Sequence, residues 1–161
     1  VERESVAILK GTLQEGVPRQ VWPPAREAEV LDVLANVDAT LDTRLAGLYG
    51  TPPNPLGELE QALWDESRWA FRADETYLEI ALARLRDEPS DLTAVYVGGP
   101  DVVGHRFWRY AHPEPFEHPP DAAQVENFGG LLEASYRRVD RALGEMLARM
   151  PADTNVIVVS D

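Results

Sequence analysis

Two short apolar segments with a long amphipathic stretch between them constrain this chain more than any other feature. Leu92-Thr-Ala-Val-Tyr-Val97 is rich in β-branched and aromatic residues and closes on Gly98-Gly99, and Thr154-Asn-Val-Ile-Val-Val-Ser160 repeats the pattern after Pro151. Each predicts a strand buried on both faces. Between them Leu132, Tyr136, Val139, Leu143, Met146 and Met150 recur at alternating spacings of four and three, opposite a polar side of Glu133, Arg137, Arg138, Arg141 and Glu145. That is the pattern of a helix with one face on a core. Strand, helical crossover and strand make a βαβ unit, so the expected fold class is α/β, with a parallel sheet and right-handed connection.

The first half reads differently. Val30, Leu34, Val37, Leu41, Leu45 and Leu48 form a second helical stripe, opened by Pro23-Pro24 and stopped by Gly50. Thr51-Pro-Pro-Asn-Pro55 is the clearest internal break. Leu59, Ala62, Leu63 and Trp69 predict a further helix, nearly continuous with one through Tyr77, Leu78, Ala81, Leu82 and Leu85, for which Asp74 would be the N-cap and Pro89 the end. Ser5 to Leu9 suits a short strand, and Ala111 to Pro120 a proline-rich loop. The expected organisation is therefore a helical cap or insertion over residues 1–70 and a partial α/β core over 71–161.

Length and charge narrow the functional classes. The 161 residues are enough for one core, and a formal net charge of -13 disfavours nucleic-acid duplexes as partners. A small anionic substrate remains compatible when bound cations supply the local positive charge. Cys is absent, which removes disulfides and thiol chemistry. No signal peptide or membrane-spanning run is visible, and both exported and cytoplasmic settings stay open.

The candidate chemistry lies where the two predicted strands end, the edge at which open α/β sheets bind ligands. After the first comes Gly98-Gly-Pro-Asp101-Val-Val-Gly-His105-Arg-Phe-Trp108, and at the end of the second stands Asp161. A carboxylate and an imidazole four residues apart reach one ion when a helical turn stacks them, and Gly104 leaves room beside them.

Asp101-Val-Val-Gly-His105 resembles the Asp-x-x-Gly-His metal motif of the alkaline phosphatase superfamily. Its Phe107-Trp108 continuation is most similar to type I phosphodiesterases and nucleotide pyrophosphatases. Val156-Ile-Val-Val-Ser160-Asp161 is similar to the first half of that family's Ser-Asp-His-Gly strand end. The resemblance covers about residues 74 to 161. It implies an alkaline-phosphatase-like sheet flanked by helices and two divalent metal ions, usually zinc with manganese the alternative. It further implies a Thr or Ser nucleophile and a small phosphodiester or nucleotide substrate. Asp101 and His105 would serve one ion and Asp161 the other. No segment here resembles the nucleophile motif, so the chain reads as an inactive internal piece of a hydrolase.

Blander readings stand beside these. Asp101 and His105 taken alone could be a capping pair, Asp161 a turn residue, and His112 and His118 part of a solvated loop. Arg106 and Arg109 could approach a phosphate or balance surface charge, and Trp108 could stack on a base or pack. Two other functional classes compete. Another superfamily branch, a phosphomonoesterase, cofactor-independent phosphomutase or sulfatase, would show in the nucleophile. A non-catalytic helical interaction module would bind no transition metal.

Overall fold

A computed structural model describes residues 7, 8, 17, 20–87 and 90–160, and within them the chain is built from helices. Two residue pairs form the only strands described: β1 (Ala7–Ile8) runs antiparallel to β2 (Val21–Trp22). A short 3-10 turn at Pro24–Arg26 leads into α1 (Glu27–Tyr49), where the expected stripe is buried at Val30, Leu34, Val37, Leu41 and Leu45. Gly50 ends α1 at φ 79°, a left-handed value that a Cβ would disfavour, and its N–H donates to the Ala46 carbonyl at 3.0 Å.

The two adjoining helices expected after the proline-rich break are one, α2 (Glu58–Asp87). Asp74 lies in its middle rather than at its start, so it is not the N-cap of that helix. No glycine or proline interrupts 58–87, and the sequence is dominated by Ala, Leu, Glu and Arg, all strong helix formers. α3 (Gly99–Ala111) follows, then the proline-rich loop, a short α4 (Ala122–Phe128) and α5 (Leu131–Leu147). The α4 start is a capping box: the Gln124 backbone N–H donates to Asp121 Oδ1 at 2.9 Å and the Asp121 N–H to Gln124 Oε1 at 3.0 Å.

The core gathers Val37, Leu41 and Leu45 of α1, Phe71 of α2, Val103, Phe107 and Tyr110 of α3, Phe128 of α4 and Leu131 of α5. Phe107 sits at its centre, 5.3 Å from the Phe128 ring and 6.2 Å from that of Tyr110. Beside this apolar cluster three helices are tied by charge. Glu75 of α2 accepts from Arg138 of α5 at 2.6 and 3.1 Å and from Arg44 of α1 at 3.3 Å, and Arg44 also reaches Glu79 at 2.8 Å.

The expected α/β parallel sheet is not what the chain forms. Among the described residues neither 92–97 nor 154–160 belongs to a strand, and the two do not pair. Most of their side chains meet solvent instead of a core: Leu92 is 83% and Ile157 84% exposed, while Val95 and Val97 are half-buried. The physical reason is that β-branched composition measures fit to a pleated, half-buried surface, not an autonomous backbone preference. A strand completes its hydrogen bonds only on a neighbour, and here α3, α4 and α5 pack on one another and on α1 and α2 without bringing these segments side by side.

Candidate metal-binding face

α3 carries two faces that repeat the same spacing two residues apart. Val103, Phe107 and Tyr110 point into the core, and Asp101, His105 and Trp108 recur at the same intervals of four and three on the outer side. The buried face fixes the helix, and the outer face presents chemistry. His105 Nε2 lies 3.3 Å from Asp101 Oδ1, with both side chains largely exposed.

That separation suits a shared ion. Asp101 and His105 would be the residues to hold an ion on this face, a carboxylate oxygen and an imidazole nitrogen both being donors that zinc accepts. A Cβ added at Gly104 would meet nothing within 4 Å, so the surface beside the pair is open to an incoming group. Two donors are fewer than the three or four of a zinc site, and no cluster of three or more His, Cys, Asp or Glu able to hold a metal occurs among the described residues. Asp161, the third expected ligand, lies outside the described residues.

The neighbouring cations and aromatics are engaged in structure. Arg106 donates to Ser67 Oγ at 3.3 Å, and Arg109 donates to the His118 carbonyl at 2.7 Å while lying over the Phe116 ring. Arg109 thereby ties the proline-rich loop to α3. His112 follows the last turn of α3, its ring 4.4 Å from that of Trp108, which remains half exposed on the same face as His105.

The start of α3 is held from outside the helix. Gly98, its N-cap position, offers no side chain, and Pro100 suits the first turn. The Asp74 carboxylate of α2 fills the role: the Gly98 N–H donates to Oδ1 at 2.9 Å and the Gly99 N–H to Oδ2 at 2.8 Å. Burial pushes the Asp74 carboxyl up to about 6, against the opposing pull of those two N–H groups; Glu75 adds to the rise and Arg138 reduces it. Sequence reading singles out Asp74 as a helix cap, but for its own helix and not for α3. Its trace is the pair Asp74-Glu75 inside the run from Ala70 to Leu85 that otherwise builds the inner side of α2.

Comparison with known proteins places this face in context. The family model described as type I phosphodiesterase / nucleotide pyrophosphatase matches residues 49–161, which include α2, α3, α4 and α5 and both members of the Asp101/His105 pair. No curated protein and no solved structure matches the chain.

Proposed function

The chain belongs to the type I phosphodiesterase / nucleotide pyrophosphatase family, and from that premise we propose that it serves a metal-dependent hydrolase of phosphodiesters or nucleotide pyrophosphates. Its contribution is part of a two-metal centre rather than a complete active site. The observation that carries this reading is the 3.3 Å approach of His105 Nε2 to Asp101 Oδ1 on the open face of α3, inside the matched region. Asp101 and His105 would hold one divalent ion, zinc or manganese, and Asp161 would belong to the second. Ions so held supply positive charge that lowers the pKa of an attacking oxygen and offsets charge on the phosphorus oxygens.

What the chain's own residues do is hold donors and leave space. α3 keeps the carboxylate and imidazole one turn apart, Gly104 withholds a side chain beside them, and Trp108 offers a flat apolar surface two turns from Asp101. The Thr or Ser nucleophile belongs to a segment not contained here, so the isolated chain is inactive in this reading. The test is hydrolysis of bis(p-nitrophenyl) phosphate by the complete enzyme supplied with zinc or manganese. Asp101→Ala and His105→Ala are each expected to lower kcat/KM by at least a hundredfold. Unchanged turnover in both variants sinks the proposal.

A further inference from the structure

We propose that Asp74 is a positioning residue for the Asp101/His105 pair: by bridging the Gly98 and Gly99 N–H groups from the middle of α2, it fixes where α3 begins and so where its first two turns present their donors. The inference deepens the metal-site reading above and rests on it.

The geometry is specific. A helix start leaves its first N–H groups without intrahelical partners, and the ordinary remedy is a side chain at the N-cap itself. Gly98 has none, so a carboxylate 24 residues earlier in the chain takes over, one oxygen to each of two successive N–H groups. Asp101 comes two residues after the second of these N–H groups and His105 one turn later. A rotation or fraying of the first turn of α3 therefore moves Asp101 relative to His105, because Asp101 belongs to that turn and His105 to the next.

Gly99 is matched to this arrangement. A Cβ there would fall 2.3 Å from Asp74 Oδ2, so the close approach of backbone to carboxylate requires glycine. The carboxylate is itself constrained, being buried with Glu75 beside it on α2, Arg138 facing it from α5, and Tyr49 and Tyr77 within electrostatic reach. Asp74 touches neither Asp101 nor His105 in any contact described, and its effect runs through the backbone of α3.

The test is a zinc titration of the complete enzyme at pH 8, followed by the His105 imidazole proton resonances, with thermal unfolding measured in parallel. Asp74→Asn keeps the shape but replaces one acceptor oxygen by a donor NH2, and is expected to weaken zinc binding by about tenfold, the low end of the losses seen when outer-shell partners are removed. Gly99→Ala leaves the carboxyl in place and displaces it, and should give a similar loss. The two losses should not add, since both break one linkage. Leu34→Ala, which empties a buried site on α1 away from α3, supplies the control: it should lower the melting temperature without changing zinc affinity. Affinity that follows melting temperature across all variants, or that is unchanged in both Asp74→Asn and Gly99→Ala, overturns the proposal while leaving the metal pair intact. Zinc binding by the unaltered enzyme that is no tighter than by His105→Ala overturns both. Should Asp74→Asn not fold, Gly99→Ala decides the matter by itself.

Discussion

The helical body around Phe107 and the two apolar segments at 92–97 and 154–160 use the same kinds of residue and reach opposite ends. In the body, Val103, Phe107 and Phe128 are fully buried; in the segments, Ile157 and Val159 are almost fully exposed. Hydrophobicity does not separate them. What separates them is where the backbone finds its partners: a helix closes its hydrogen bonds within itself and then needs only one covered face, whereas a strand must find a neighbouring strand first. The chain supplies helices for helices, and no ladder for these two segments among its described residues.

The comparison can be broken most directly at the core. Phe107→Ala should cost about 3–5 kcal/mol in a chemical denaturation experiment, the range for removing a buried aromatic ring. A loss below about 1 kcal/mol would mean that the body is no more packed than the segments. Removing one partner of the buried ion pair comes next. Arg138→Ala leaves Glu75 inside the protein without its shortest contact and should cost about 3 kcal/mol, with Arg44 softening the effect.

Titration of Asp74 sharpens the body's side of the contrast. Its carboxyl is raised from 3.8 to about 6 in the folded chain, so the folded state holds this proton more tightly than the unfolded state. The group's contribution to stability is therefore full below about pH 4 and is lost as pH rises through about 6, on the order of 2 kcal/mol. Glu75, Arg138, Tyr49 and Tyr77 act on it electrostatically, and Asp38, held low by Arg72, acts in the opposite direction at lower pH. Urea denaturation from pH 4 to 7 should show Asp74→Asn with a flatter profile than the unaltered chain. The smallest effect belongs to the segments: Ile157→Thr should change stability by less than about 0.5 kcal/mol. A larger loss would show that residues 154–160 are covered in solution.

How much of this was legible in the sequence follows from the same distinction. The α1 stripe from Val30 to Leu45 was readable because a helix's periodicity is imposed by its own geometry; α5 was readable as a helix, but it buries Leu131, Ser135 and Ala142, one position off the expected stripe, and leaves Tyr136 exposed. The segments at 92–97 and 154–160 misled because strand composition describes a setting that other elements must provide. At the candidate site, the approach of Asp101 to His105 was legible in their spacing, four residues being one turn, whereas their reading as metal ligands came from the resemblance of Asp101-Val-Val-Gly-His105 to a family motif. Asp74 was legible as a cap but not as the cap of α3, since its partners are 24 and 25 residues away and are backbone N–H groups, which leave no mark in side-chain type. Gly98-Gly99 marked the place, but as the end of a strand, when the second glycine is there to admit a carboxylate.

Asp74 and Glu75 are consecutive on α2 and so diverge by about 100° around its axis, which lets one reach α3 and the other α1 and α5. The two contacts together favour one register of α2. If α2 docked one residue out of step, both carboxylates would turn away from their donors together, and a misdocked bundle would carry two buried charges without compensation. An adjacent pair of carboxylates with different addresses admits a single register, so the same feature that sets the start of α3 also sorts the native arrangement of helices from its near neighbours during folding.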